Sequence, residues 1–191
     1  MFFSKKNHCT FRQTNYKMKS ILFPLMCVML CCTLSCKKGA DANTPDTTSP
    51  TLKIELSTAT NINNEALLKL VNDTRSAGCN CGSTKMPPVA ALTWNANLAA
   101  AAIYQSKYMA SIKSMVHTSA NGETVGARVT ATGYSWTAVG ENIAAGQTVE
   151  TQVFNDWITS ESHCKNIMSP SFKEMGAAKT NIYWVQVFGL K

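Results

Sequence analysis

The sequence is poor in histidine, and this scarcity limits where acid–base or metal chemistry can occur. It has three histidines in 191 residues, and His8 lies in an N-terminal segment typical of an export signal. Two imidazoles remain for the rest of the chain, those of His117 and His163, with Glu141 between them in the sequence. Histidine titrates near neutral pH and is a common zinc ligand. We therefore expect any acid–base or divalent-metal site to contain both imidazoles.

Acidic residues are absent from residues 1–35, which carry five basic residues and an apolar run of 14 residues, 21–34. A membrane-crossing helix needs about 20 apolar residues. A basic start, a short apolar core and a small residue at its end are typical of a secretory signal peptide. The sequence therefore predicts a signal over residues 1–35. Met18-Lys19-Ser20 is itself an ordinary signal start, so Met18 is a candidate for the true first residue.

The end of this signal resembles a bacterial lipobox, with Thr33-Leu34-Ser35 before Cys36. Thr33 stands where leucine is usual. We expect acylation of Cys36, which would make the chain a membrane-anchored lipoprotein of the periplasm or cell surface; plain secretion is the alternative. Residues 36–60 contain few large apolar residues and are predicted to be a flexible tether. Residues 61–191 then form a single domain.

The excess of basic charge belongs mostly to the signal. The whole chain has 18 Lys and Arg against 11 Asp and Glu, but five of the basic residues and none of the acidic ones precede Cys36. The remainder carries a net charge of +2, which does not favour nucleic acid as a partner. Nucleic-acid binding is therefore excluded from the functions considered.

The domain has three cysteines, Cys79, Cys81 and Cys164. An odd number permits at most one internal disulfide, and an exported location favours its formation. Their spacing does not match the paired cysteines of structural zinc sites. The residues alone leave open which two would pair.

Hydrophobic periodicity predicts helices over residues 63–77, 95–113, 125–132 and 148–159. Residues 79–88 are predicted to form a loop, and residues 136–144 an irregular strand or turn. A closing hairpin is predicted from strands 174–179 and 182–188. Both faces of its second strand are apolar, so it should be covered on both sides. The expected fold is a three-layer α/β/α sandwich around a small, mainly antiparallel sheet.

Six short segments follow one another along residues 62–190 in a pattern that is similar to a known family. They are Asn72–Arg75, Leu92–Asn95, His117, Gly140–Ile143, Trp157 with Ser160 and His163, and Tyr183–Phe188. Together they resemble the short bacterial form of the CAP superfamily, the cysteine-rich secretory, antigen 5 and pathogenesis-related proteins. The resemblance implies an α/β/α sandwich with a cleft that holds two histidines and two acidic residues.

By this resemblance, His117 and His163 take the histidine positions and Glu141 takes one acidic position. Ser160 stands where the second acidic residue is usual. Glu161 is next to it, but its side chain would point about 100° further round a helix. The resemblance thus implies a site of His117, Glu141 and His163, which would leave one position open on a bound zinc or other divalent ion.

The resemblance also implies a disulfide between Cys81 and Cys164, since bacterial members share the cysteine–glycine and histidine–cysteine pairs seen here. A Cys79–Cys164 disulfide is the alternative. Three reduced cysteines are a third possibility, which export disfavours.

Three functions remain open. The first is a binding protein for an unidentified protein, lipid or glycan, with a His/Glu cleft for a divalent metal. The second is a metal-assisted hydrolase of envelope or extracellular material. The third is a structural or interaction module in which Glu141 merely bonds to His117. A serine nucleophile is disfavoured because no nucleophile elbow surrounds Ser160. We expect Ser160 or Ser162 to cap a helix at the break before Cys164.

Overall fold

The structure, a computed structural model, describes residues 59–191. The predicted signal, Cys36 and residues 36–58 of the predicted tether lie outside this part. Five α-helices and six strands follow in the described part, together with a 3-10 turn at Ala120–Gly122. The helices are α1 (Asn64–Ala77), α2 (Ala96–Ile112), α3 (Val125–Ala131), α4 (Glu150–Thr159) and α5 (Glu161–Ile167). The strands are β1 (Cys79–Cys81), β2 (Thr84–Met86), β3 (Thr93–Trp94), β4 (Ala138–Ala145), β5 (Glu174–Thr180) and β6 (Tyr183–Leu190).

The main sheet has the strand order β3-β5-β6-β4. The short β3 runs parallel to β5, while β5–β6 and β4–β6 are antiparallel pairs. One apolar core joins α1, α4 and α5 to one face of the sheet. A second core joins α2 and α3 to the other face. The predicted three-layer α/β/α sandwich around a mainly antiparallel sheet is confirmed.

Strand β6 lies in the middle of this sandwich, and its sequence explains why. Its residues from Tyr183 to Gly189 are all buried. Val185 and Val187 enter the core under α2, whereas Trp184 and Phe188 enter the core under α1, α4 and α5. The prediction that this strand is covered on both faces is therefore correct.

Helix α2 packs directly on the backbone of β5, and Gly176 makes this possible. A Cβ atom at Gly176 would lie 2.1 Å from the backbone nitrogen of Ala99, too close for any real contact. Buried alanines on the facing side of α2, including Ala101 and Ala102, have small side chains and so allow the same close approach of the helix to the sheet. This close approach fixes α2 and the loop that follows it.

Arg75, near the end of α1, ties the far end of α5 to the rest of the domain. Its side chain is fully buried and donates to the carbonyls of Ala90 and Ile167 at 2.7 and 2.6 Å. It also donates to the carbonyls of Ser169 and Phe172. Burial lowers the pKa of Arg75 to about 10. The guanidinium thereby donates hydrogen bonds to four backbone carbonyls that have no partner within a helix or a sheet.

Three local predictions differ from the structure. The predicted loop at 79–88 contains the β1–β2 hairpin, whose strands pair from Cys79–Met86 to Cys81–Thr84. The predicted irregular segment at 136–144 is a regular strand, because every residue from Ala138 to Ala145 pairs with β6. Gly140 does not interrupt it; its missing Cβ leaves room for the ring of Phe172. Helix α5 was not predicted as a separate element.

In residues 59–191 no helix is both long and apolar enough to span a bilayer.

Candidate functional site

The first half of the site is a chain of three side chains: His117, Glu141 and Arg128. Nδ1 of His117 lies 2.8 Å from one carboxylate oxygen of Glu141. Arg128 donates to the other oxygen at 2.5 Å. The side chains of Glu141 and Arg128 are each 2% exposed, whereas that of His117 is 59% exposed. A buried ion pair thus holds an accessible imidazole by one ring nitrogen.

The loop that carries His117 is fixed by buried polar contacts with α2 and α3. Gln105 of α2 donates to the carbonyl of Val116 and accepts a hydrogen bond from Ser119. Arg128 of α3 donates to the carbonyl of His117 at 3.1 Å and to the Ser119 hydroxyl at 3.0 Å. Buried polar groups with their partners in place make a segment rigid. The His117 backbone is therefore positioned before any ligand arrives.

The second half of the site is His163 on α5, and amide side chains tie this helix to β4. Asn142 is fully buried and donates to the carbonyl of His163 at 3.2 Å. Its Nδ2 also donates to Gln186 of β6 at 3.1 Å. Asn166, one turn after His163, donates to the side-chain oxygen of Asn142 and to the carbonyl of Glu141. Neighbouring residues of β4 therefore contact the ring of His117 and the backbone of His163.

The environments shift the two imidazole pKa values in opposite directions. The hydrogen bond with Glu141 and the carboxylate charge raise the pKa of His117, although burial and Arg128 oppose this. Burial, followed by repulsion from His117, lowers the pKa of His163. Near neutral pH the first imidazole favours its protonated form more than an ordinary histidine does, and the second favours its neutral form.

We predict that the pKa of His117 lies above 6.5 and that Glu141→Gln lowers it, because glutamine removes the carboxylate charge but keeps its shape. Histidine Cε1–H chemical shifts followed from pH 5 to 9 by NMR test this, with His117→Asn and His163→Asn for assignment. The raised pKa also implies that protonated His117 stabilises the fold fully below the unfolded pKa of about 6.5, and that this contribution disappears as pH rises through the folded pKa. An unchanged pKa in Glu141→Gln would contradict the assigned role of the carboxylate.

The structure brings His117 and Glu141 into direct contact, and places His163 near enough for its pKa to respond to His117. Both oxygens of Glu141 bond to neighbouring side chains, one to His117 and the other to Arg128. Glu161 points away, bonding to Lys165 at 2.6 Å and lying against the β1–β2 turn at Gly82. In the described chain, the group of three metal-ligand side chains closest together is instead Cys79, Cys81 and Cys164.

The segment from Ser160 to Cys164 also differs in part from expectation. Ser160 is the N-cap residue of α5, but its hydroxyl makes no capping hydrogen bond and lies 3.5 Å from that of Ser162. The backbone carbonyl of Ser160 does accept from Cys164. Of the pairings left open by the sequence, the structure has the Cys81–Cys164 disulfide, which links the hairpin to α5 next to His163.

Arg128, Asn166 and Gln105 belong to the site but were not identified from the sequence. Arg128 follows an alanine and precedes a valine on a short helix, a pattern that gives no sign of its burial. Asn142 lies in the Gly140–Ile143 segment that carries the family resemblance, next to Glu141, but the sequence assigns it no role. One signal was available for Arg128: a basic residue among neutral ones on a helix directly after the His117 loop.

The donor chemistry of the two imidazoles suits a divalent cation such as zinc. A neutral His117 gives its Nδ1 hydrogen to Glu141, which leaves the lone pair on Nε2 for a ligand. The lowered pKa of His163 keeps its ring neutral, the form that binds metals. His117 and His163 would hold the ion, and Glu141 with Arg128 would orient the first of them.

Comparisons with known proteins agree with this fold. Residues 68–188 match the model of the family described as CAP, the cysteine-rich secretory protein family. Over 58 residues, 29% of this chain and 23% of the relative, the sequence is 40% identical to the uncharacterized protein YkwD of Bacillus subtilis. This chain thus spans less than a quarter of that relative.

Solved structures give the same picture. An extracellular SCP-domain protein from Bacillus anthracis is similar with a TM-score of 0.60 and 26% identity, covering 67% of this chain and 40% of that one. An outer surface protein from Borrelia burgdorferi has a TM-score of 0.56 and 20% identity over 66% of this chain and 91% of its own. The second likeness supports the fold alone.

Proposed function

Since this chain belongs to the cysteine-rich secretory protein (CAP) family, we propose that it is an exported binding protein whose ligand is recognised at His117 and His163 with the help of a divalent cation. Export is supported by the signal-like N-terminus and by similarity to an extracellular SCP-domain protein. Acylation of Cys36 would hold the domain at a membrane. The ligand class, whether protein, lipid or glycan, is left to experiment.

The observation that carries this proposal is the buried Arg128–Glu141 pair that ends on an accessible imidazole. Burying a carboxylate and a guanidinium is costly and adds little stability compared with apolar packing. The buried pair is costly, and it fixes the exposed imidazole of His117. This favours a binding role over a merely structural one. Carboxylates that orient metal-binding histidines likewise bond to one ring nitrogen of the imidazole.

We predict that zinc binds the purified protein, as measured by calorimetry at pH 7.5, and that the double variant His117→Ala, His163→Ala does not bind it. Glu141→Gln keeps both imidazoles but loses the charged orienting partner, so we expect zinc affinity to fall by about 10- to 100-fold. Cys79→Ser serves as a matched control that leaves both imidazoles in place, and it should bind zinc as the wild type does.

Two results would count against the proposal. If the wild type does not bind zinc and the double variant is only less stable, the cluster is structural. If Cys79→Ser alone abolishes binding, the ion sits at the cysteines and not at the imidazoles.

A second function, a hydrolase of envelope or extracellular material, is favoured by one observation. The opposite pKa shifts of His117 and His163 supply an acid and a base in one place, a common pattern at acid–base sites. Hydrolysis of peptide, lipid or cell-wall substrates that is lost in both His117→Asn and His163→Asn would support it. Binding of a ligand without turnover would favour the first proposal.

A further inference from the structure

Three sulfur atoms lie together where the β1–β2 hairpin meets α5. The Sγ atoms of Cys79, Cys81 and Cys164 are all within 4.8 Å of one another. Cys81 and Cys164 form the disulfide, and Cys79 Sγ lies 3.7 Å from Cys164 Sγ. Because Cys164 carries no sulfur-bound hydrogen in a disulfide, the Cys79 thiol is the donor in that contact.

The spacing of the two hairpin cysteines produces this cluster. Successive side chains of a strand point to opposite faces, so Cys79 and Cys81 share a face while Asn80 points away. Both therefore face Cys164 on α5. Cys81 and Cys164 are fully buried, whereas Cys79 is only partly buried. Of the three cysteines, Cys79 is the one that is partly exposed.

We propose that Cys79 exchanges with the disulfide, so that the hairpin carries two alternative cross-links to α5. The Cys79 thiolate attacks Cys164 Sγ and forms a Cys79–Cys164 bond. The Cys81–Cys164 bond breaks, its electron pair stays on Cys81, and Cys81 takes up the proton that Cys79 lost. The exchange moves one proton from Cys79 to Cys81 and involves no net oxidation or reduction, so no external oxidant is needed. Attack along the S–S axis requires the hairpin to move, because Cys79 Sγ does not lie on the extension of the Cys81–Cys164 bond.

The exchange makes a buried disulfide accessible to an external dithiol. In the Cys81–Cys164 state both sulfurs are shielded from solvent. In the Cys79–Cys164 state one sulfur belongs to the partly exposed residue. A dithiol attacks Cys79, giving a mixed disulfide and a Cys164 thiolate, and its second thiol then releases Cys79 and closes the dithiol's own disulfide. The cluster is thus a thiol–disulfide exchange site for partners with a reduced dithiol.

The decisive measurement is the rate of reduction by dithiothreitol under native conditions in the wild type and in Cys79→Ser. Both proteins can form the Cys81–Cys164 disulfide, so a difference reports on Cys79 alone. Samples are quenched in acid, digested with pepsin at low pH to prevent scrambling, and the Cys164-linked peptides are quantified by mass spectrometry. We expect reduction in Cys79→Ser to be slower by at least about tenfold, because its disulfide has no accessible route.

Equal reduction rates would overturn the proposal, since the buried disulfide would then open without help from Cys79. Peptide maps of the wild type add a second criterion: the Cys79–Cys164 peptide should accumulate before any reduced Cys164 appears. The Cys81→Ser variant should form that same cross-link in nearly all folded molecules. Absence of the Cys79–Cys164 peptide from both proteins would contradict exchange, whatever the rates.

Discussion

Replacing Arg128 by methionine is expected to lower the free energy of unfolding by about 3–5 kcal/mol, because it leaves the buried carboxylate of Glu141 without its cationic partner. The same change removes the donor that bonds to the carbonyls of His117 and Glu123 and to the Ser119 hydroxyl. The loop that carries His117 should therefore loosen while the apolar cores stay intact. Urea denaturation followed by the fluorescence of buried Trp157 and Trp184 measures the loss.

A double variant separates the charge effect from simple loss of packing. Arg128→Met combined with Glu141→Gln removes both buried charges, and it should be more stable than Arg128→Met alone. Arg128→Lys is a second control: it keeps the charge but cannot place a planar fork of donors against four acceptors. If Arg128→Met unfolds at the wild-type urea concentration, the ion pair does not hold the site together.

The second large effect is expected at Arg75. Arg75→Met keeps an unbranched chain of similar length but removes every donor, so the carbonyls of Ala90, Ile167, Ser169 and Phe172 lose their partner. An unsatisfied buried acceptor costs about 1–3 kcal/mol, and some of these carbonyls will be reached by water. We expect a loss of about 3–5 kcal/mol in the free energy of unfolding.

Calorimetric or urea denaturation of Arg75→Met beside Lys69→Met provides the comparison, because Lys69 makes an exposed helix ion pair with Asp73. The Lys69 variant should lie within about 0.5 kcal/mol of the wild type. Equal stabilities of the two variants would show that the carbonyls around Arg75 find other donors.

The sequence predicts those parts of the domain whose signal is local. Periodicity indicated α1, α2 and α4, and alternation in residues 183–188 indicated the central strand, because each pattern follows from burial of that element's own face. The hairpin β1–β2 and helix α5 were missed. Both are short, and their places depend on a disulfide and on carbonyl contacts with Arg75 that join residues far apart in the chain.

The residues of the site also fall into those that the sequence identifies and those that it does not. The two histidines and Glu141 were identified because they are rare residue types in recognisable segments. Pairing of Glu141 with His117 is one of the alternatives that the sequence offers, but the sequence gives no sign of the group on the second carboxylate oxygen. That information lies in Arg128 and in the burial of the pair. The carboxylate therefore links the exposed imidazole of His117 to the buried guanidinium of Arg128.

The outer edge of β4 has a consequence for how partners bind. The carbonyls of Glu141 and Ile143 accept hydrogen bonds from the side chains of Asn166 and Trp157. An exposed edge strand pairs readily with strands of other chains, and covering its backbone groups prevents this. With α4 and α5 occupying these two acceptors, addition of an extended peptide to this part of the sheet edge is disfavoured. We therefore expect a partner bound near the imidazoles to be recognised through side chains and not through strand pairing with β4.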